Sequence, residues 1–542
     1  MRTLRLFIVA ALGTAAATVA RSADLPAADQ PVEAVIDRAI DAGITSAGTT
    51  PAPQADDAAL VRRLTLDLVG RIPTLGEVEG FVASTDPQKR AKLVDRLIAS
   101  PGFNRHQAAQ FDAMFNPDGE RRGSGALRDY FAAALKDGKP WDKMFRELML
   151  PDDADAKTKG AGEFLRARLT DADRLTNDVS VAFFGVNVSC AQCHDHPLVK
   201  DWTQDHFYGM KAFLARTYDA GGVVAERGFG IIKYKPHKGP EKAAGLMFLT
   251  GSKLDDATAR EMTKDEQKKE KEASEAAKKT KQPPPKPAFS ARAKLVEVSL
   301  AKGGGEFFAR SIVNRMWHRF LGAGLVNPLD QMHSENPPTH PELLAWLARD
   351  TAAHGYDLRR LIRGIVMSQV YSRGSRYPTE AAPDARLFAV ARLKPLTPMQ
   401  LAASLKIAAT DPAAFAGKKP DEFEKAVEQA EAAARGFAGL IAAPGENFQI
   451  GVGEALLFSN GDRVTKEFLT DGGGSLLGRL KTVTDPAEAV GLLVKTAYGR
   501  PPTAAETKAL TAYVEARADR RPEAYRQLLW ALVTGPEFRF NY

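Results

Sequence analysis

The chain has 542 residues, 44% of them hydrophobic and 26% charged, with a net charge of +7. Those values describe an ordinary globular protein of about three or four domains, and they exclude a disordered or fibrous chain. The basic residues are scattered rather than gathered into an aromatic-interleaved stripe, which argues against nucleic-acid binding.

Residues 1–20 read as a secretory signal peptide. Arg2 and Arg5 precede an apolar, Ala-rich stretch from Leu6 to Ala17, and small residues follow around Thr18-Val19-Ala20. That stretch is short for a membrane span, and an uncleaved N-terminal anchor is the alternative reading. No later segment offers ~20 uninterrupted apolar residues, so no transmembrane span is expected in the mature chain. The compartment implied is the periplasm or cell surface.

Residues 21–55 are rich in Ala, Pro and Asp and read as a lead-in linker with one short helical pattern at Val32–Ala42. Helical periodicity starts at Asp56. Thr74 and Glu77 form a capping-box pattern for the next helix. Lys92–Ile98 ends at Ser100-Pro101, a helix stop. Amphipathic stretches follow at Leu127–Leu135 and Trp141–Leu150. Val179–Val188 fits a strand or a buried helix equally well.

Residues 217–252 are rich in Gly and β-branched residues and predict a small β element. Residues 253–290, rich in Lys, Glu, Ala and Pro, predict a charged, solvated linker between an N-terminal helical domain (56–252) and a C-terminal one (291–542). In the latter, helical spacing recurs at Phe307–Phe320, Pro341–Ala352, Asp357–Val370, Pro398–Ala408 and within Asp485–Tyr542. The fold class expected is mainly α, multi-domain, with a small β element.

Both cysteines of the chain lie in Cys190-Ala191-Gln192-Cys193-His194, the attachment pattern of c-type haem. Thiols at i and i+3 of a helical turn share a face and can add to the two vinyl groups of one porphyrin, with His194 as proximal iron ligand. Met210 and His206 are the nearest distal candidates in sequence. A zinc site of Cys190, Cys193, His196 and His206 is the main alternative. A short disulfide loop and a thioredoxin-like exchange pair also remain open. Asp195, His196 and His206 read either as a polar loop that orients His194 or as part of a second metal or acid–base site.

Elsewhere, an Arg315–Asp330 ion pair is expected to fix the loop after the Phe307–Phe320 helix. His333, Glu335 and His340 in and beyond that loop lack any recognised catalytic spacing. No Gly-x-Ser-x-Gly elbow, phosphate loop or His-Glu-x-x-His motif is present.

The string Cys190-Ala-Gln-Cys-His-Asp-His-Pro197, with Trp202-Thr-Gln-Asp-His-Phe-Tyr208, closely resembles the signature of exported planctomycete cytochrome-type proteins of unknown function. These are large proteins with a cysteine-motif domain followed by a second helical domain. Leu64–Thr74, Ala309–Trp317, Gly322–Val326, Asn336–Leu344, Gly355–Leu358 and Tyr498–Pro502 extend the resemblance. The family name implies haem, and with the cysteine motif the expectation is covalent haem, electron transfer or another redox role outside the cytoplasm, and a redox partner protein. The contrasting expectation is a non-redox exported scaffold or carbohydrate-related surface protein.

Overall fold

A computed structural model describes residues 27, 30–116, 125–152, 154–197, 199–280, 282–444 and 451–542. The expected signal segment lies outside the described residues. The architecture is mainly α: helices dominate, and the sheets among the described residues are antiparallel pairs of two short strands. Three of these pairs, Thr217–Asp219 with Val224–Glu226, Ile232–Tyr234 with Lys242–Ala244, and Leu246–Met247 with Lys253–Leu254, form the expected β element.

Local signals explain most helix starts. Thr74 accepts from the Glu77 amide while Glu77 returns a bond to the Thr74 amide, so the Leu75–Ala83 helix begins with two of its orphan donors satisfied. Ser100 ends the Lys89–Ala99 helix but also caps the next one, Pro101–Phe115, with Pro at its first turn. What reads as a stop is therefore a joint between two helices, because proline is tolerated where no amide partner is needed.

The lead-in reading of residues 21–55 is corrected by the Val32–Ser46 helix. Val32, Val35, Ile36, Ile40 and Ile44 recur at three- and four-residue intervals and are all buried. A continuous apolar stripe of that kind docks rather than dangles. Val179–Val188 is neither strand nor regular helix. The Ala172–Val179 helix runs into a π turn at Ser180–Phe184, closed by Gly185 in the left-handed region.

Packing draws its own boundary. One hydrophobic core gathers buried residues from Val32 to Ala389, and a second gathers Leu396 to Phe538 together with Leu66 and Ile72. The charged segment is thus an excursion from the first core rather than a division between cores. It contains the Lys264–Thr280 helix, whose one buried residue, Ala277, packs against Ala220 and Ala225. The Asp57–Val69 helix serves both cores: Leu60, Val61, Leu64 and Leu68 face the first and Leu66 the second. That double duty explains its burial from Leu60 to Val69 on all sides.

Where the cores meet, charge is buried and paired. Asp67 accepts from Lys394 Nζ at 2.7 and 2.8 Å, Tyr371 Oη at 2.8 Å and Asn541 Nδ2 at 2.8 Å. Lys394 also donates to the carbonyls of Arg319 and Phe320. Arg63 donates to the carbonyls of Tyr371, Arg373 and Tyr542. Burial lowers the pKa of His106 well below the usual histidine value and that of His318 to about 4, with nearby cations adding to both effects.

Candidate functional site

The cysteine motif is held by its neighbours through backbone groups. Gly185 sits where a side chain would strike Met332 and the Leu329 carbonyl. Val186 then bridges Gln331, and the Asn187 amide donates to the Asp330 carbonyl at 2.8 Å. Asn177 Oδ1 takes the Val188 amide at 3.0 Å, and Asn187 Oδ1 takes the Ser189 amide and hydroxyl. The chain enters a 3-10 turn at Ser189–Gln192 with its approach fixed on both sides.

Within that turn Ala191 is fully buried, whereas Cys190, Cys193 and His194 are exposed and both thiols are free. The small apolar residue anchors the turn and the reactive ones project outward. Gln192 secures it from below: its carbonyl accepts from Gln204 Nε2 and Tyr208 Oη, and its side chain donates to Asp173 at 2.8 Å. His194 Nδ1 lies 2.7 Å from the Asp195 carbonyl. A carbonyl only accepts, so Nδ1 is the donor, and in the neutral ring the lone pair is on Nε2.

The following polar cluster does structural work. Asp195 Oδ1 accepts from the Gln204 amide at 2.9 Å, at the start of the Gln204–Leu214 helix. His196 Nδ1 accepts from the Val199 amide at 3.1 Å, and the His196 amide donates to the Trp202 carbonyl. His206 Nδ1 meets the Thr203 amide and hydroxyl in a capping box. Asp201 ties this loop to the other half of the first core by accepting from Ser334 N and Oγ, each at 2.8 Å. Burial, with His333 and His194 close by, lowers the His196 pKa.

The expected four-ligand zinc set is not assembled. His196 and His206 each turn Nδ1 to an amide of their own turn, and among the described residues no group of three or more His, Cys, Asp or Glu is placed to hold a metal ion. Met210, the other distal candidate, is fully buried in the first core. Arg315 and Asp330 still interact electrostatically, but their hydrogen bonds go to other partners: Arg315 donates to the Val181 carbonyl and Asp330 accepts from Asn187. His340 stands apart from His333, with its ring against Gly43 and Phe388.

Haem attachment requires two accessible thiols about one helical turn apart and an accessible imidazole beside them, and Cys190, Cys193 and His194 fit that requirement. Their proximal imidazole would be held as ligating histidines usually are, with the second ring nitrogen on a backbone carbonyl. Gln204 and Tyr208 stand in the quoted signature, but their support of the turn through Gln192 escaped the sequence reading. Their four-residue spacing on one helix was the available signal.

The family model PSCyt2, "Protein of unknown function (DUF1549)", matches residues 35–219, and PSD1, "Protein of unknown function (DUF1553)", matches residues 291–440. The two matches follow one another along the chain as successive domains, both of unknown function. No curated protein and no solved structure matches it. The PSCyt2 match contains the Val32–Ser46 helix from Val35 onward and the cysteine turn, whereas the PSD1 match straddles the two cores.

Proposed function

We propose that Cys190 and Cys193 attach haem c covalently and that His194 ligates its iron, in a protein that transfers electrons or carries out a redox reaction outside the cytoplasm. The observation that carries this reading is the His194 Nδ1–H bond to the Asp195 carbonyl, beside two exposed free thiols. It leaves Nε2 as a lone-pair donor at the same surface as the thiols. When bound, haem supplies reversible one-electron chemistry whose potential follows axial ligation and hydrogen bonding. The chain's own part is to anchor the group, orient the imidazole through Asp195 and keep the turn rigid through Gln192, Gln204 and Tyr208. Exposure of the motif suits exchange with a partner protein.

The test is maturation in a host with haem-attachment machinery. A Soret band that survives acid-acetone extraction, and that disappears in the Cys190→Ala, Cys193→Ala double variant, is the expected result. A colourless protein with stoichiometric zinc, or with a disulfide between the two cysteines, would overturn the proposal.

A further inference from the structure

The hairpin that pairs Ile232–Tyr234 with Lys242–Ala244 is fastened to the Gln204–Leu214 helix, the same helix that backs the cysteine turn. Tyr234 stacks on Tyr208 with ring centroids 3.9 Å apart and planes 11° from parallel. Tyr208 Oη in turn donates to the Gln192 carbonyl. Tyr234 Oη donates to Asp205, which also pairs with Lys242 at 2.6 Å, so both strands are held. Two strands alone make a marginal structure, and here ring stacking and charge-assisted bonds fix it.

The loop of that hairpin, Lys235-Pro236-His237-Lys238-Gly239-Pro240-Glu241, is brought to the cysteine turn by one carboxamide. Gln204 Oε1 accepts the His237 amide at 2.8 Å, and Gln204 Nε2 donates to the Gln192 carbonyl at 3.3 Å. Gln204 is itself buried, and its own amide is tied to Asp195, so the bridge has little freedom. The backbone of His237 therefore stands one glutamine side chain away from the Cys190–His194 turn, although far beyond it in sequence. Two prolines restrict the loop, which keeps the cost of holding His237 there low.

The other histidines around the motif already serve the fold. His196 and His206 each turn Nδ1 to an amide of their own turn. His333 sets Nε2 on Gln331 Oε1, and its Nδ1 is buried. The His237 side chain is exposed, and among the described residues its ring makes no hydrogen bond. An accessible imidazole with no structural bond to lose is free to ligate a metal. We infer that His237 is the distal axial ligand of the haem, opposite His194. The inference rests on the haem reading above and deepens it: an imidazole on each face of the iron suits electron transfer rather than binding of a substrate at the metal.

Full-length protein matured in a host with haem-attachment machinery tests this through visible and electron paramagnetic resonance spectra of the ferric state. The parent should be low-spin. His237→Ala should keep its covalent haem, turn high-spin, and regain the low-spin signature when free imidazole is added. Lys238→Ala, on the same exposed loop, should remain low-spin, which separates ligation from general disturbance of the hairpin. A parent whose haem is attached but high-spin would overturn the inference and leave the haem reading standing, as would a His237→Ala variant that stays low-spin. Protein that never acquires covalent haem would sink the haem reading and this inference with it.

Discussion

The cysteine turn and the Asp67 junction are both dense in polar groups, and they are built in opposite ways. At the junction every oxygen of Asp67 is used, by Lys394, Tyr371 and Asn541, and the charges are sealed between two cores. At the cysteine turn the polar bonding is done by backbone groups and by neighbours, which leaves both thiols and the His194 Nε2 uncommitted. Saturation marks structure and spare valence marks chemistry. The contrast also tells where mutation should hurt folding and where it should hurt only function.

The largest effect is expected from Asp67→Ala. It removes the anion from Lys394 and from the surroundings of Arg63 and leaves buried cations uncompensated, at a cost of about 3–5 kcal/mol. The urea midpoint measures it, and a loss below ~1 kcal/mol would contradict the structural role given to the junction.

The next concerns pH. The folded-state pKa of His318, about 4, lies below the usual histidine value because burial and the charges of Lys394, Arg315 and Arg392 oppose protonation. The unfolded chain therefore binds this proton first as pH falls. Stability from this group is intact above about pH 6.5 and declines towards pH 4, by roughly 3 kcal/mol. His106 acts in the same direction. A His318→Gln variant should show a shallower decline of the urea midpoint between those pH values. An unchanged slope would remove His318 from the account.

Smaller still is Thr74→Ala, which removes one side of the capping box of the Leu75–Ala83 helix and should cost about 1 kcal/mol, read from the same midpoint. Smallest is Cys190→Ser with Cys193→Ser. Both side chains are exposed and make no described contact that holds the fold, so stability should change by less than ~0.5 kcal/mol in protein produced without haem maturation. A large loss there would break the comparison, because it would make the turn a structural element like the junction.

Much of the fold was legible in the residues because helix ends write themselves locally. Thr74 with Glu77, Thr397 ahead of Pro398, and Asp357 ahead of Leu358 all cap the helices that follow them. The β element at 217–252 was equally visible from its Gly and β-branched content. What escaped was long-range. Nothing in the string Val32–Ala42 announces that its stripe will meet the Leu358–Met367 helix, where Gly364 gives Val32 room to approach. Nor does periodicity show that residues 291–389 return to the first core across a charged excursion. At the candidate site, Cys190, Cys193 and His194 were readable as a motif. The tautomer of His194 and the capping duties of Asp195 and His206 depended on turns that only the folded backbone defines.

The excursion at 253–290 has a mechanical consequence. Because apolar burial on its two sides belongs to one continuous interior, cutting the chain within that segment would not release two independent bodies. The fragments would remain clasped, and the covalent connection there behaves as a tether around an assembly that would hold without it.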